Sequence, residues 1–223
     1  MNTIRLTIKQ FIHKYSHACI LLYGLVYMAW FGYLEKTVTS DYFVIHSVFD
    51  DFIPFIEVFI IPYLMWFAFI AVTVLYFLFT DKQGYLRLTT LMFTGMTIFL
   101  IICTIFPNGL NLRPEVFTRE NIFIDLVRHL YAADTPTNVL PSLHVYNSIA
   151  CYIAISHSEK LRQSRLVQKG SFILTVLIVL STMFLKQHSV VDVVAAGVMA
   201  YFMYQIVYVP SETRISVLAR QTI

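Results

Sequence analysis

The chain has 223 residues, of which 58% are hydrophobic and 13% charged, with a mean hydropathy of +0.69. Soluble domains carry about 25% charged and roughly 45–50% apolar residues, so this composition excludes an ordinary water-soluble globule and indicates a membrane protein. Sixteen Lys and Arg against thirteen Asp and Glu leave a net charge of +3, too balanced and too scattered to suggest a nucleic-acid partner.

In chain order, six apolar stretches approach the ~20 residues that a helix needs to cross ~30 Å of hydrocarbon. They run over about 16–34, 58–80, 88–106, 140–156, 170–187 and 188–208. Arg5, Lys9 and Lys14 precede the first, as in a signal peptide. That stretch ends in Trp30, Phe31 and Tyr33 rather than in small residues, so it reads as a retained span. The fourth is short and carries Ser142, His144 and Asn147 near its start. Such polarity is costly against lipid and should face protein or a water-filled cavity. The expected fold is all-α: a polytopic membrane protein of six transmembrane helices forming one domain over residues 1–223. Two stretches among the loops, 41–56 and 116–130, carry apolar residues near helical spacing among charges. They read equally as interfacial helices on the outer face and as helices capping the bundle.

Loop charge gives an orientation. With six spans, eleven of the sixteen basic residues fall on one side, among them Arg5, Lys82, Arg87, Lys160, Arg162, Arg214 and Arg220. Most acids fall on the other. The positive-inside rule then places both termini in the cytoplasm, with the long 107–139 loop outside. The expected location is a plasma or inner membrane. Cys19, Cys103 and Cys151 lie singly in apolar runs and read as packing residues rather than zinc ligands or a disulfide.

Three polar clusters fall on the outer side in this topology. The first, Phe106-Pro107-Asn108-Gly109-Leu110-Asn111-Leu112-Arg113-Pro114, follows the third span. The second, Leu140-Pro141-Ser142-Leu143-His144, opens the fourth. The third runs from Ser181 to Asp192 and contains Lys186 and His188. His188 and Asp192 are four apart at a helix start, so a carboxylate can accept the Nδ1 proton and leave Nε2 basic. Pro141 suits a first helical turn, which puts Ser142 and His144 where backbone N–H groups are unpaired and anions bind. Arg113 is a fixed cation able to grip a phosphate by two parallel hydrogen bonds.

Taken together, the R-P, P-S-x-H and S-x6-H-x3-D series resembles the type 2 phosphatidic acid phosphatase superfamily of membrane lipid phosphatases and phosphotransferases. The pattern of that family runs K-x6-R-P, P-S-G-H and S-R-x5-H-x3-D. The motif-bearing core covers about 106–208. The resemblance implies a lipid phosphate substrate held at the bilayer, with His188 as the nucleophile that takes the phosphoryl group and Asp192 orienting it. It implies His144 as the general acid, then the base for water. Arg113, Ser142 and Ser181 fall at the family's phosphate-binding positions. No metal and no cofactor are expected.

Three positions depart from the family pattern. The lysine seven before Arg113 is Phe106, the arginine after Ser181 is Thr182, and the glycine of P-S-G-H is Leu143. Leu143 resembles a branch with inositol phosphorylceramide synthases. Two phosphate-gripping cations are thus missing, and Lys186, two before His188, is the expected substitute, ahead of Arg128, His129 and Lys36. Two alternatives accompany hydrolysis. One is transfer of a phospho-headgroup to a lipid alcohol; the other, of a different class, is a transporter or ion relay. A metal site of His144, His188 and Asp192 leaves the arginine unexplained. Neither the particular lipid nor the oligomeric state follows from the residues.

Overall fold

The computed structural model describes residue 10 and residues 13–209. Arg5, Lys9, Arg214 and Arg220, which enter the charge-based topology, lie outside the described residues. Within them the fold is all-α, with eight α-helices. A 3-10 stretch, Ser16–Leu22, runs into α1 (Tyr23–Thr37), and α2 (Val48–Phe52) follows. Next come α3 (Ile60–Thr80), α4 (Lys82–Ile105) and α5 (Ile122–Ala133). The last three are α6 (Leu143–His157), α7 (Arg165–Phe184) and α8 (Val190–Val207). The one departure from helix is a pair of two-residue strands, β1 (Phe43–Val44) and β2 (Asn108–Gly109), which lie parallel.

Among the described residues, five stretches are long and apolar enough to cross a membrane: Ser16–Thr37, Glu57–Thr80, Lys82–Ile105, Arg165–Phe184 and Val190–Val207. The chain is therefore built as an integral membrane protein. Large apolar side chains such as Leu25, Val72, Val194 and Ile206 point outward rather than inward, as lipid in place of water requires. Side-chain caps, more than hydropathy, set where α4 and α7 begin. Asp81 accepts from the Gly84 amide at 2.9 Å and Ser164 from the Val167 amide at 3.4 Å. Both α4 and α7 therefore start earlier than their apolar runs do.

The expected span over 140–156 comes out shorter. Ser142 is the N-cap, so Pro141 precedes the helix instead of opening its first turn. α6 has 15 residues, roughly 22 Å at the helical rise of ~1.5 Å, and is not among the five. It is instead the central post of the bundle, packed against α3, α4, α7 and α8. Ala150, Cys151 and Ala154 are buried along it, and such small residues let neighbouring helices approach. The closest approach is at Gly95 of α4, where an added Cβ would lie 2.1 Å from the Tyr146 ring. Tyr146 secures that crossing by donating from its hydroxyl to the Leu91 carbonyl at 2.6 Å. Cys103 and Cys151 are buried packing residues, while Cys19 is exposed.

Stretch 116–130 holds most of α5. Val127 of α5 packs in a cluster with Ile60, Tyr63 and Leu185, although Val116 and Ile122 stay exposed. Stretch 41–56 forms β1 and the single turn of α2, with Phe43, Val48, Phe49 and Phe52 all exposed. Asn108, fully buried, stitches the loops at this end. Its Oδ1 accepts from the amides of Val139 and Leu140 at 2.9 Å each, and its carbonyl accepts from the Asn138 amide at 2.7 Å. The Arg113 segment is thereby tied to the residues that open α6.

Candidate active site

Two helix starts meet at this end. The Ser142 amide donates to the Asp192 carbonyl at 3.2 Å, which joins the N-terminus of α6 to the first turn of α8. His144 and His188 consequently face each other, with ring centroids 5.7 Å apart. His144 sits against the rings of Trp66 at 4.4 Å and Tyr63 at 4.6 Å. Both histidines line a cavity of about 340 Å³, together with Tyr63, Trp66, Asp134, Asn147 and Gln187.

His188 is not inside the helix but just before its cap. Ser189 is the N-cap of α8, and Asp192 at the third helical position reaches back to it as a capping box. One carboxylate oxygen, Asp192 Oδ2, accepts both the Ser189 amide at 2.9 Å and His188 Nδ1 at 3.3 Å. Asp192 is fully buried and His188 nearly so. A proton on Nδ1, held by this carboxylate, leaves the Nε2 lone pair free for an electrophile. The amides of Gln187 and His188 both donate to the Thr182 carbonyl, at 2.9 and 3.1 Å, so the turn carrying His188 is fixed from the α7 side as well.

Arg113 is held rather than loose. Its Nη1 donates to the carbonyls of Asp134 at 2.9 Å and Tyr131 at 3.3 Å, its Nη2 to Gln187 Oε1 at 2.7 Å, and its guanidinium carbon lies over the Tyr131 ring. Burial lowers its pKa from the ordinary arginine value, while the neighbouring Asp134 opposes that shift. The carboxyl of Asp134 is raised above the usual aspartate range by burial, with His188 and Arg113 pulling the other way. Asp134 lines the cavity, yet no motif in the sequence pointed to it.

Lys186, the expected substitute for the family cations, donates from its ammonium to the Asp50 carbonyl at 2.8 Å and also to that of Ile53, so it ties the α2 loop to the turn. Burial lowers its pKa, against the pull of Asp50 and Asp51. The weaker candidates lie elsewhere. Arg128 is engaged by Glu120 and Asp125, His129 bonds the Asp125 carbonyl, and Lys36 is exposed. Ser142 caps α6, accepting from the Val145 amide at 3.4 Å. Ser181 spends its hydroxyl proton on the Ile178 carbonyl at 2.7 Å. His144, His188 and Asp192 do not form a group able to hold a metal ion, and neither do any other described residues.

Asp50 is the residue that spacing could not reveal. Nearly fully buried, its carboxylate accepts from Ser189 Oγ at 2.6 Å, from the Val190 amide at 2.8 Å and from the Ser47 amide at 2.8 Å. It clamps the turn between His188 and Asp192 from outside the bundle. Asp50→Ala should lower turnover by about 100-fold, the scale of misplacing a reacting group by roughly 1 Å. The check is kcat in detergent, measured beside the thermal unfolding midpoint.

Compared with known protein families, residues 88–215 match the PAP2 superfamily. That stretch is more than half of the chain and contains Arg113, Ser142, His144, Ser181, His188 and Asp192. No curated protein and no solved structure matches the chain. On the extent of this match, the chain belongs to the PAP2 superfamily.

Proposed function

We propose that the protein is an integral membrane enzyme that cleaves a phosphate ester or anhydride bond of a lipid through a phosphohistidine on His188, without a metal. The observation that carries this reading is the pair of histidine rings 5.7 Å apart over one cavity, with Asp192 hydrogen-bonded to His188 Nδ1 and Arg113 bonded to Gln187, the residue next to His188. Family membership supports a phosphatase-type enzyme at the coarse level.

The steps follow from the atoms. His188 Nε2 gives its lone pair to phosphorus while Asp192 holds the Nδ1 proton. The bond from phosphorus to the leaving oxygen breaks, and His144 supplies the proton that this oxygen takes. His144, now neutral, removes a proton from water, whose oxygen attacks phosphorus. The phosphorus–nitrogen bond breaks, and phosphate leaves with His188 restored. Arg113 stabilises the charge that builds on the phosphoryl oxygens, usually the largest catalytic contribution.

A second reading replaces water by a lipid alcohol. It is favoured by the cavity wall next to the histidines, where Tyr27, Phe31, Phe67 and Phe99 offer an apolar berth for an acceptor chain. Assay of the purified protein against a panel of phospholipids, with and without a lipid alcohol, separates the two. Activity should survive chelators and be inhibited by vanadate, which adopts the five-coordinate geometry of phosphoryl transfer. Loss to EDTA with recovery on adding zinc or magnesium would sink the histidine reading.

The orientation is proposed from loop charge: the histidine end faces away from the cytoplasm. In a Cys19→Ser background, a cysteine placed at exposed Thr118 should react with an impermeant thiol reagent in intact cells. One placed at exposed Gln163 should stay unlabelled. The reverse pattern would invert the topology.

A further inference from the structure

We infer that Gln187 is a phosphate-gripping residue of this site, a neutral donor working beside Arg113 in place of the cations that Phe106 and Thr182 leave out. The inference rests on the phosphohistidine reading above and deepens it. A guanidinium can only donate, so the Gln187 atom that meets Arg113 Nη2 at 2.7 Å must be its oxygen. The amide orientation is therefore fixed by chemistry, and the NH2 group faces the other way. That nitrogen has no hydrogen-bond partner among the described residues, although the side chain is only 3% exposed. Arg113 Nε is a second buried donor in the same condition. Buried donors are seldom left unpaired, because water's hydrogen bonds have been given up for nothing. Two such donors on residues bonded to each other, one of them adjacent to the nucleophile, suit an oxyanion that arrives with the substrate.

The other candidates for this role are spoken for. Lys186 is bound to loop carbonyls, and Thr182 Oγ1 donates to the Val179 carbonyl at 2.8 Å. Gln187 also lines the cavity that His144 and His188 share. The ligand class is the tetrahedral phosphoryl group of a lipid, held by one formal cation and one neutral amide.

An alternative role for Gln187 is merely to orient Arg113 through its oxygen, and two variants separate the roles with opposite signs. Gln187→Glu keeps an oxygen for Arg113, with added charge, but removes the donor. Gln187→Lys keeps a donor and removes the oxygen. The measurements are the inhibition constant for inorganic vanadate and the p-nitrophenol burst, on full-length protein in detergent. A phosphate donor requires Gln187→Glu to bind vanadate at least about tenfold more weakly, the scale of one hydrogen bond to a charged group. Gln187→Lys should stay within about threefold of wild type, well short of such a loss. Wild-type vanadate affinity in Gln187→Glu would overturn the inference. If that variant does not yield monodisperse protein, Gln187→Lys decides alone, and a tenfold loss there overturns it. A wild-type enzyme that is blind to vanadate and shows no burst would remove the phosphohistidine reading and this inference together. A vanadate-sensitive wild type with an equally sensitive Gln187→Glu removes only the role of Gln187.

Discussion

His188→Ala should reduce turnover by about 10⁴-fold or more, on every substrate and at every pH, with the protein still folded. Removing a covalent nucleophile costs on this scale because the remaining site can only bind and polarise. The imidazole sits before the α8 cap and makes one side-chain hydrogen bond, to Asp192. Its loss leaves the capping interactions of Ser189 with Asp192 and Asp50 in place. Stability should therefore change far less than activity. Comparable losses of thermal midpoint and of kcat would point to a structural histidine instead. Steady-state kinetics with a lipid phosphate and with p-nitrophenyl phosphate, set beside thermal unfolding, makes the check. A good leaving group should not rescue this variant, since the atom proposed to bond to phosphorus is gone.

His144→Ala should behave differently on the same two substrates. A general acid contributes typically 10²–10⁴-fold when the leaving oxygen needs a proton. A lipid alkoxide needs one, whereas p-nitrophenolate is stable near neutral pH and departs alone. The variant should lose about 10²–10⁴-fold on a lipid monophosphate yet keep most of the p-nitrophenol burst. It should also accumulate phosphoenzyme, because the same ring has to activate water in the second step. Equal losses on both substrates, with no trapped phosphate, would remove the acid–base role. The packing of His144 between Tyr63, Trp66 and His188 makes His144→Gln the gentler companion variant, with the same substrate split expected.

Much of this arrangement was legible in the residues. Apolar length located the spans, since nothing but a helix satisfies its own backbone in lipid. Loop charge and motif order alone bring Arg113, His144, His188 and Asp192 to one end. Two serine–acid pairs, Ser47 with Asp50 and Ser189 with Asp192, are capping boxes readable from their spacing. What spacing cannot carry is a contact across the chain. Asp50 meets Ser189 over 139 residues, and Glu35 accepts from Thr135 and Asn138 over 100 and 103. The direction of Lys186 was equally hidden, because a long flexible side chain reaches whichever acceptors its turn presents. That turn takes Lys186 to a φ of 53°, in the left-handed region. α6 is shorter than its apolar stretch because the helix begins only beyond the Ser142 cap, leaving Leu140 and Pro141 outside it. Gln187 gave no signal, being uncharged and of a type common on any surface. It stands out only once its oxygen is seen to be taken by Arg113 and its nitrogen to have no partner among the described residues.

The most direct measurement is rapid-quench trapping of the phosphoenzyme, with the phosphorylated residue located by mass spectrometry under alkaline conditions. Phosphate on a histidine nitrogen survives base and is lost in acid. Wild type should show such a species transiently, His144→Ala should accumulate it, and the label should sit on His188. Turnover of a lipid phosphate with no base-stable, acid-labile protein phosphate in either form, or with the label on another residue, would contradict the account.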